Sequence, residues 1–243
     1  MFDKIRVIML DVDDTLLDFN LCMLHAAKES FDKLGFPFPE DLDKTFHPIN
    51  DSLWRELEKG NITIDDIHAN RWKRILLALG MEEEAKRGAE LEKEFVYRLR
   101  FAALPVEGAR ELLDYLEGRY ILCVGSNGPI DQQLRRLTDA DMISFIGEER
   151  VFTSGEIGFS KPQKPFFDVC LDRLNGTLNP AEEPLRPEEI LMIGDSLTAD
   201  IGGAHDYGMK TIWYDHKHKG AQTPGAEKAD VRVEDLADIM ALL

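Results

Sequence analysis

The chain has 243 residues, of which 44% are hydrophobic and 31% are charged. A chain of this length and composition can bury one sizeable core, with or without an insertion, and it is unlike a disordered protein. Its formal net charge of -17 would repel a phosphate backbone, and no local basic patch offsets that charge. We therefore expect no nucleic acid partner.

The N-terminal sequence and the cysteines bear on localisation. "MFDKIR" lacks the basic start of a signal peptide, and no uncharged apolar run approaches the roughly 18 residues of a membrane span. Cys22, Cys123 and Cys170 are far apart, which predicts neither a disulfide framework nor a zinc site. We expect a cytoplasmic protein with no membrane partner.

The first predicted element is a buried strand, "IRVIML", and a long helical segment follows it. Residues 19–103 show apolar residues at helical spacing and no strand pattern. Gly35, Gly60 and Gly80 stand where helices commonly end. The sequence therefore predicts several consecutive helices in this segment.

From Pro105 onward, helices alternate with short apolar strands: "YILCVGS", "RVFTS", "EILMIGDS", "TIWYD" and "DVRV". This alternation predicts an α/β fold with a parallel, Rossmann-like sheet covered by helices on both faces. The first strand has no partner in the helical segment, so it belongs to the same sheet. We expect a core domain of residues 1–18 and 104–243, with an inserted all-helical domain of residues 19–103.

Polar residues follow four of the predicted strands, and ligands of open parallel sheets bind at this edge. Each residue alone would be read as a turn residue or helix cap. As a group they define a candidate site: Asp11, Asp13 and Thr15 after the first strand, Ser126 and Asn127 after the second, Lys161 after the third, and Asp195 and Asp200 after the fourth.

This set of residues suits phosphoryl transfer. Asp11 and Asp195 can supply the carboxylate ligands that Mg²⁺ prefers, and the cation offsets their repulsion. A deprotonated carboxylate can attack phosphorus, while Lys161 and the Ser126 hydroxyl stabilise the transferring oxygens. Asp13 can protonate the leaving oxygen and later activate water.

The same residues resemble the motifs of the haloacid dehalogenase superfamily, in order and along essentially the whole chain. "DVDDTLL" is similar to the first motif, "VGSNG" to the second, "SKPQKPFF" to the third and "IGDSLTAD" to the fourth. The helical segment after the first strand resembles the C1 cap of subfamily I. The combination is far more specific than the first motif alone.

The resemblance implies a role for each motif residue. Asp11 is the implied nucleophile and Asp13 the acid/base, and the implied metal is Mg²⁺. The implied phosphate binders are Ser126, Asn127 and Lys161; the implied metal ligands are Asp11, Asp13 and Asp195; Asp200 and Thr15 lie beside the metal or support its ligands. Dehalogenase relatives lack a carboxylate at the position of Asp13, because halide leaves without a proton, so its presence favours phosphoryl transfer.

The helical segment offers a cue to the substrate. "NDSLWRELEKGNIT" resembles the cap of the bacterial noncanonical pyrimidine 5′-nucleotidases, as do "SNG" and "GDSLTADIGGA", although Ser126 stands where many members have Thr. The resemblance implies a phosphoric monoester hydrolase acting on nucleoside 5′-monophosphates. Substrate-specificity candidates are Phe19, Asn20, Asn50 and Trp54. Cap packing is the simpler interpretation of Trp54, and hinge packing is an equal alternative for Phe19.

Other functions remain open at this stage. A sugar-phosphate phosphatase or a phosphomutase would use the same core residues and differ in its acceptor or leaving group. A phospho-receiver signalling module also gathers aspartates and a lysine around magnesium, but it is shorter and has no helical insertion after its first strand. We expect a small phosphate ester as the partner molecule and a monomer or homodimer.

Three further residues or segments receive simpler interpretations. Asp14 fills a variable motif position and is predicted to be a turn or solvent-facing residue. Asp18 is predicted to help the chain leave for the helical segment. "DHKHKG", residues 215–220, is predicted to be a solvated loop rather than a metal site.

Overall fold

The structure is a computed structural model that describes residues 2–179 and 181–243. The chain forms two compact units. The described residues within Met1–Asp18 and Ala103–Leu243 make up an α/β unit, and Phe19–Ala102 makes up a helical unit. None of the described helices is long and apolar enough to cross a membrane.

The described residues of the α/β unit contain one sheet of six parallel strands in the order β3-β2-β1-β4-β5-β6. The chain order reverses direction at β1, so β2 and β4 are its two neighbours. The strands are β1 (Val7–Leu10), β2 (Ile121–Ser126), β3 (Val151–Thr153), β4 (Ile190–Gly194), β5 (Lys210–Tyr214) and β6 (Val231–Val233).

The helices alternate with the strands in the α/β unit and are consecutive in the helical unit. The helical unit contains α1 (Phe19–Leu34), α2 (Leu42–Glu58), α3 (Ile64–Ala78), α4 (Glu82–Ala85) and α5 (Gly88–Leu99). The α/β unit contains α6 (Ala109–Leu116), α7 (Ile130–Asp139), α8 (Ile143–Ile146), α9 (Ser154–Ile157), α10 (Lys164–Thr177), α11 (Gly203–Tyr207) and α12 (Leu236–Leu242), with a π-helical turn at Leu197–Gly202 before α11.

Both faces of the sheet are buried, as the continuous apolar strands predict. Successive side chains of a strand point to opposite faces. Ile8 and Leu10 pack in the cluster that includes residues of α6, α8 and α12. Val7 and Met9 pack in a second cluster with residues of α10 and α11. The predicted α/β fold with helices on both faces is confirmed.

A tight turn follows β1. The carbonyl oxygen of Val12 accepts hydrogen bonds from the amides of Leu16 (2.9 Å) and Leu17 (2.8 Å). Asp14 adopts a left-handed conformation, with φ of 61°, which aspartate tolerates better than most residues. The amide of Asp18 then donates to the carbonyl of Leu104 (2.8 Å), which joins the outgoing chain to the returning one.

The helical unit is built around aromatic side chains. Phe31, Phe46, Trp72 and Phe95 are fully buried, and the rings of Trp72 and Phe95 meet edge to face with centroids 5.1 Å apart. The three predicted helix-ending glycines all have positive φ and follow α1, α2 and α3. Only glycine adopts this conformation without strain, which explains their place in the sequence.

Candidate active site

The carboxyl ends of three neighbouring strands carry the predicted site residues. Asp11 comes directly after β1, Ser126 ends β2 and Asp195 comes directly after β4. The amide of Asp11 donates to the carbonyl of Ile193 at 3.0 Å, so the pairing of β1 with β4 continues up to the site. Because β1 lies between β2 and β4, its end is the centre of this edge of the sheet.

Lys161 is the buried cation of the site. Its Nζ donates to Asp11 Oδ1 at 2.7 Å, to Asp200 Oδ1 at 2.6 Å and to the carbonyl oxygen of Gly125 at 2.5 Å. An ammonium group has three protons to donate, so these three acceptors fix its position. The positive charge is therefore held against the carboxylate of Asp11.

Asp200 lies on the π-helical turn and is fully buried. Its Oδ2 accepts a hydrogen bond from the amide of Ser196 at 3.0 Å, while Oδ1 faces Lys161. A Cβ atom at Gly194 would lie 2.3 Å from Asp200 Oδ2, which is too close for any side chain. The glycine before Asp195 is therefore needed for Asp200 to reach the site.

Asp11, Asp195 and Asp200 form a donor set that fits a divalent cation. One carboxylate oxygen of each lies within 4.8 Å of the others. Lys161 contacts Asp11 and Asp200, whereas Asp195 lies beside His216, and carboxylate oxygens are the ligands that Mg²⁺ prefers. The carboxylate of Asp13 contacts Arg136, and its role as a metal ligand stays a prediction.

Burial perturbs the titration of this cluster. Burial raises the pKa of Asp11 well above its ordinary value; Lys161 opposes the rise, and the charges of Asp200 and Asp195 add to it. Burial also raises the pKa of Asp195. Burial by itself lowers the pKa of Lys161, but Asp11 and Asp200 outweigh this effect and leave it raised. Lys161 is thus charged, and for Asp11 and Asp195 the effect of burial on the pKa outweighs that of their positive neighbours.

Ser126 is buried at the end of β2 with its hydroxyl oxygen doubly hydrogen-bonded. The oxygen accepts from the amide of Gly128 and from Nε2 of Gln133, each at 3.0 Å. Two donors occupy both lone pairs of a hydroxyl, so its own proton is available to an external acceptor. A phosphoryl oxygen is an acceptor of this kind.

Asn127 links the second and third motifs. Its Nδ2 donates to the carbonyl of Lys161 at 3.0 Å, and its Oδ1 accepts from the amide of Lys161 at 2.9 Å. The side chain amide is therefore occupied by the backbone of the loop that carries the lysine. Asn127 holds Lys161 in register with β2.

Asp13 is held by two residues that the sequence analysis did not identify. Arg136 Nη1 donates to Asp13 Oδ1 at 2.6 Å, and Gln133 Nε2 donates to Asp13 Oδ2 at 2.9 Å. Both donors lie on α7, three positions apart and therefore on one helical face. That spacing, on the helix directly after β2, is the signal in the sequence that could have revealed them.

Thr15 lies inside the turn after β1. Its side chain is fully buried, and its hydroxyl has no hydrogen-bond partner among the described residues. Its amide donates weakly to the carbonyl of Val12, at 3.4 Å. Thr15 thus belongs to the turn that separates Asp11 and Asp13 from the outgoing chain.

Asp14 is a turn residue, as predicted, but it is not solvent-facing. The residue is buried, and its Oδ2 accepts from Lys217 Nζ at 2.6 Å. His216 Nε2 lies 3.7 Å from Asp14 Oδ2 and 3.9 Å from Asp195 Oδ2. Lys217 is exposed, as a solvated loop predicts, whereas His216 is half-buried. Both lie beside these carboxylates because β5 is the neighbour of β4.

The four substrate-specificity candidates belong to the helical unit. The ring of Phe19 lies 6.2 Å from that of Phe46, and Asn20 Oδ1 lies 2.8 Å from His47 Nε2. Asn50 is buried, and its Oδ1 accepts a hydrogen bond from Arg71 Nη1 at 3.3 Å. Trp54 is half-buried on α2.

Comparison with known proteins identifies relatives along nearly the whole chain. HAD-hydrolase YfnB of Bacillus subtilis is 32% identical over 210 residues, covering 86% of this chain and 84% of its own. Pyrimidine 5′-nucleotidase PynA of Streptococcus pneumoniae is 29% identical over 237 residues, covering 97% and 94%. Glyceraldehyde 3-phosphate phosphatase of Pyrococcus furiosus is 27% identical over 244 residues, covering 99% and 93%.

A solved structure of one of these relatives also matches along nearly the whole chain. A crystal structure of YfnB bound to magnesium, which reveals interdomain movement, matches with a TM-score of 0.84 and 30% identity, covering 98% of each chain. The family model described as haloacid dehalogenase-like hydrolase matches residues 5–208. The four motifs, the α/β fold and these matches agree, and the chain belongs to the haloacid dehalogenase-like hydrolase family.

Proposed function

We propose that this protein is a magnesium-dependent phosphomonoesterase that works through an aspartyl-phosphate on Asp11. The observation that carries this proposal is the buried contact of Lys161 with Asp11, with Asp13 two residues further on. A carboxylate beside a fixed ammonium group is suited to receive a phosphoryl group, because the ammonium stabilises the charge on the transferring oxygens.

Asp11, Asp195 and Asp200 would hold the magnesium ion, since their oxygens form the compact donor set. When bound, the ion neutralises the excess negative charge of the carboxylates and of the substrate phosphate. Asp200 then has two roles: it would bind the ion, and it accepts a hydrogen bond from Lys161.

The first step forms a bond between an Asp11 carboxylate oxygen and phosphorus and breaks the bond between phosphorus and the ester oxygen. Asp13, protonated at that moment, gives its proton to the departing ester oxygen, which leaves as an alcohol. Lys161 and the Ser126 hydroxyl stabilise the phosphoryl oxygens. The products of this step are the alcohol and phosphorylated Asp11.

The second step hydrolyses the phosphorylated Asp11. Asp13, now ionised, accepts a proton from water, and the water oxygen bonds to phosphorus as the bond to Asp11 breaks. Inorganic phosphate leaves, Asp11 returns as a carboxylate and Asp13 is protonated again. A single carboxyl group thus serves as acid and then as base, so its position governs both steps.

We propose nucleoside 5′-monophosphates, pyrimidine ones in particular, as the substrates. The support is the "NDSLWRELEKGNIT" segment of the helical unit and the match with PynA over 97% of this chain. The helical unit would act as a cap that selects the leaving group, with Phe19, Asn20, Asn50 and Trp54 as specificity candidates.

A sugar-phosphate phosphatase or phosphomutase is the second candidate, supported by the match with a glyceraldehyde 3-phosphate phosphatase over 99% of this chain. A panel of phosphate esters assayed with magnesium distinguishes the two. We expect pyrimidine 5′-monophosphates to have the highest kcat/KM. Far faster turnover of sugar phosphates than of every nucleotide would contradict the nucleotidase proposal, and transfer of phosphate to a sugar would indicate a mutase.

A further inference from the structure

We infer that Arg136 and Gln133 of α7 are positioning residues that fix Asp13 for proton transfer and orient the Ser126 hydroxyl toward the phosphate. This inference rests on the proposed phosphomonoesterase function and deepens it. It extends the site to two residues that lie outside the four motifs and that the strand-end pattern does not predict.

The contacts of Asp13 are specific and asymmetric. Arg136 is fully buried, whereas the side chain of Asp13 is 32% exposed. Arg136 and Gln133 each take one oxygen of the carboxylate, Oδ1 and Oδ2 respectively. Both oxygens are therefore held from the protein side, while the exposed side of the carboxyl group faces outward, where a substrate can reach it.

Gln133 connects the acid/base to the phosphate-binding hydroxyl. Its Nε2 donates to Asp13 Oδ2 and to Ser126 Oγ, and its Oε1 accepts from Arg136 Nη1 at 3.1 Å. Arg136 thus contacts both Asp13 and the amide, and the amide contacts two functional groups at once. Without Arg136, the amide keeps its own hydrogen bond to Ser126 Oγ. With its lone pairs taken by Gln133 and Gly128, the Ser126 hydroxyl can only donate outward.

The glycine of "SNG" makes room for this arrangement. A Cβ atom at Gly128 would lie 2.3 Å from Nε2 of Gln133. Any side chain at this position would displace the amide from Asp13 and Ser126. One structural unit therefore comprises Ser126, Gly128, Gln133 and Arg136. In this unit Gly128 leaves the space that the Gln133 amide occupies.

Positioning matters here because proton transfer requires hydrogen-bond distance to the departing oxygen. An ester with a strongly basic leaving group, such as a nucleotide, needs the proton. 4-Nitrophenyl phosphate does not, because its leaving group is a stable anion. A loss of kcat/KM confined to the alkyl ester therefore indicates impaired proton transfer from Asp13 and not impaired folding.

The test compares Arg136→Met with Arg135→Met, its matched control on the same helix. Arg135 is exposed and pairs with Asp139 at 2.7 Å, away from Asp13. Methionine fills the volume of the arginine stem, and the part-exposed Asp13 keeps water and Gln133 as donors, so we expect Arg136→Met to fold. Circular dichroism and the melting temperature check this.

The measured quantity is kcat/KM, which reports the phosphorylation step. It is measured for 4-nitrophenyl phosphate and for one alkyl ester, uridine 5′-monophosphate. If the enzyme prefers sugar phosphates, ribose 5-phosphate is the alkyl ester. We expect Arg136→Met to lower kcat/KM roughly 30-fold for the alkyl ester and less than about 3-fold for 4-nitrophenyl phosphate. Arg135→Met should change neither. Equal losses on both esters, or none, would overturn the role of Arg136.

Gln133→Met provides a second variant if Arg136→Met does not fold. It should lower kcat/KM for both esters, because Ser126 loses its orienting donor, with a further loss on the alkyl ester because Asp13 is released. Equal losses on the two esters would overturn the link to Asp13. A wild-type enzyme that hydrolyses no phosphate ester would instead reject the proposed function, and this inference with it.

Discussion

Both units of the molecule bury an arginine against a carboxylate, and the two pairs differ in one respect. Arg136 meets Asp13 at 2.6 Å in the α/β unit, and Arg71 meets Glu92 at 2.5 Å in the helical unit. Asp13 keeps 32% of its side chain exposed, whereas both partners of the second pair are below 7%. One pair is open on the carboxylate side, and the other is closed.

In the closed pair, Arg71 and Glu92 satisfy each other's hydrogen-bonding groups. Arg71 contacts both oxygens of Glu92, at 2.5 and 3.2 Å, and also donates to Asn50. Its guanidinium carbon lies 5.0 Å from the ring centroid of Phe95. These contacts join α2, α3 and α5, so the network specifies how the helices pack and exposes little to a ligand.

The charges at the strand ends of the α/β unit do not satisfy themselves. Asp11 and Asp200 share the ammonium group of Lys161, and burial raises the pKa of Asp11 and of Asp195. Such a cluster lowers the stability of the empty protein and is useful only when a cation or an electrophile arrives. We propose that the carboxylates of Asp11, Asp195 and Asp200 serve chemistry, whereas the Arg71–Glu92 pair serves folding.

The largest expected effect separates these roles. Asp11→Asn removes the proposed nucleophile and should lower kcat by roughly 10⁴-fold or more. The amide has the shape of the carboxylate, and Lys161 keeps its contact with Asp200, so we expect the fold to survive. Turnover of 4-nitrophenyl phosphate and circular dichroism measure the two properties.

The same variant should not lose stability. An acid whose pKa is higher in the folded protein than its ordinary 3.8 stabilises the fold at low pH and loses that contribution as pH rises through the raised value. Without magnesium, the melting temperature of Asp11→Asn should therefore equal or exceed that of the wild type, with a gap that widens above about pH 4. A melting temperature of Asp11→Asn clearly below that of the wild type at neutral pH would contradict the view that the buried carboxylate of Asp11 lowers stability.

Glu92→Gln should show the opposite pattern. Removing one partner of a buried pair leaves Arg71 uncompensated, which costs about 3 to 5 kcal/mol. Two of the three tryptophans, Trp54 and Trp72, lie in the helical unit, so urea unfolding followed by tryptophan fluorescence is a suitable measurement. Turnover per folded molecule should change little.

Glu90→Gln is the matched control, because Glu90 lies on the same helix and pairs with Arg87 at the surface. We expect no measurable change in the urea midpoint. Replacing Arg71 and Glu92 together by methionine should recover most of the stability lost in Glu92→Gln. A Glu92→Gln variant as stable as Glu90→Gln would mean that the closed pair does not stabilise the fold.

Magnesium should stabilise the α/β unit. At a tenfold excess over its Kd, a ligand that binds only the folded state adds about 1.4 kcal/mol, or roughly 3 to 6 °C in melting temperature for a chain of this size. Asp195→Asn should remove most of that shift, and chelator should reverse it in the wild type. An equal shift in Asp195→Asn would exclude Asp195 from the cation site.

The smallest expected effect concerns Lys217. Its Nζ pairs with Asp14 at 2.6 Å, but its side chain is 40% exposed, so water and salt weaken the interaction. Lys217→Met should therefore lower stability by less than about 1 kcal/mol, and the loss should shrink in high salt. Lys219→Met, in the same loop, is the control, and a salt-independent loss would contradict an electrostatic role.

The fold and the motif residues could be predicted for a common reason. Short apolar strands alternating with helices define a parallel sheet, and the carboxyl ends of parallel strands meet at one edge. That rule brings Asp11, Ser126 and Asp195 together without knowledge of any side chain conformation. The observed contacts of Lys161 with Asp11 and Asp200 follow the same rule.

Contacts made by helix faces and by the end of β5 could not be predicted in this way. Arg136 and Gln133 reach Asp13 because of the orientation of α7, which strand order does not determine. Asp14 is the turn residue that the sequence predicts, but a variable motif position does not indicate that the left-handed turn buries it beside Lys217. Asn50 engages Arg71, a partner 21 positions away that the sequence pattern does not indicate.

In the proposed mechanism Asp11 carries the phosphoryl group during turnover, and trapping that group on the protein is the decisive experiment. Wild-type enzyme mixed with magnesium and 4-nitrophenyl phosphate is quenched in acid within the first turnovers, and its peptides are mapped by mass spectrometry. We predict one phosphoryl group on the peptide that contains Asp11, absent from Asp11→Asn. A phosphoryl group on another residue, or an Asp11→Asn variant that turns over at the wild-type rate, would contradict the account.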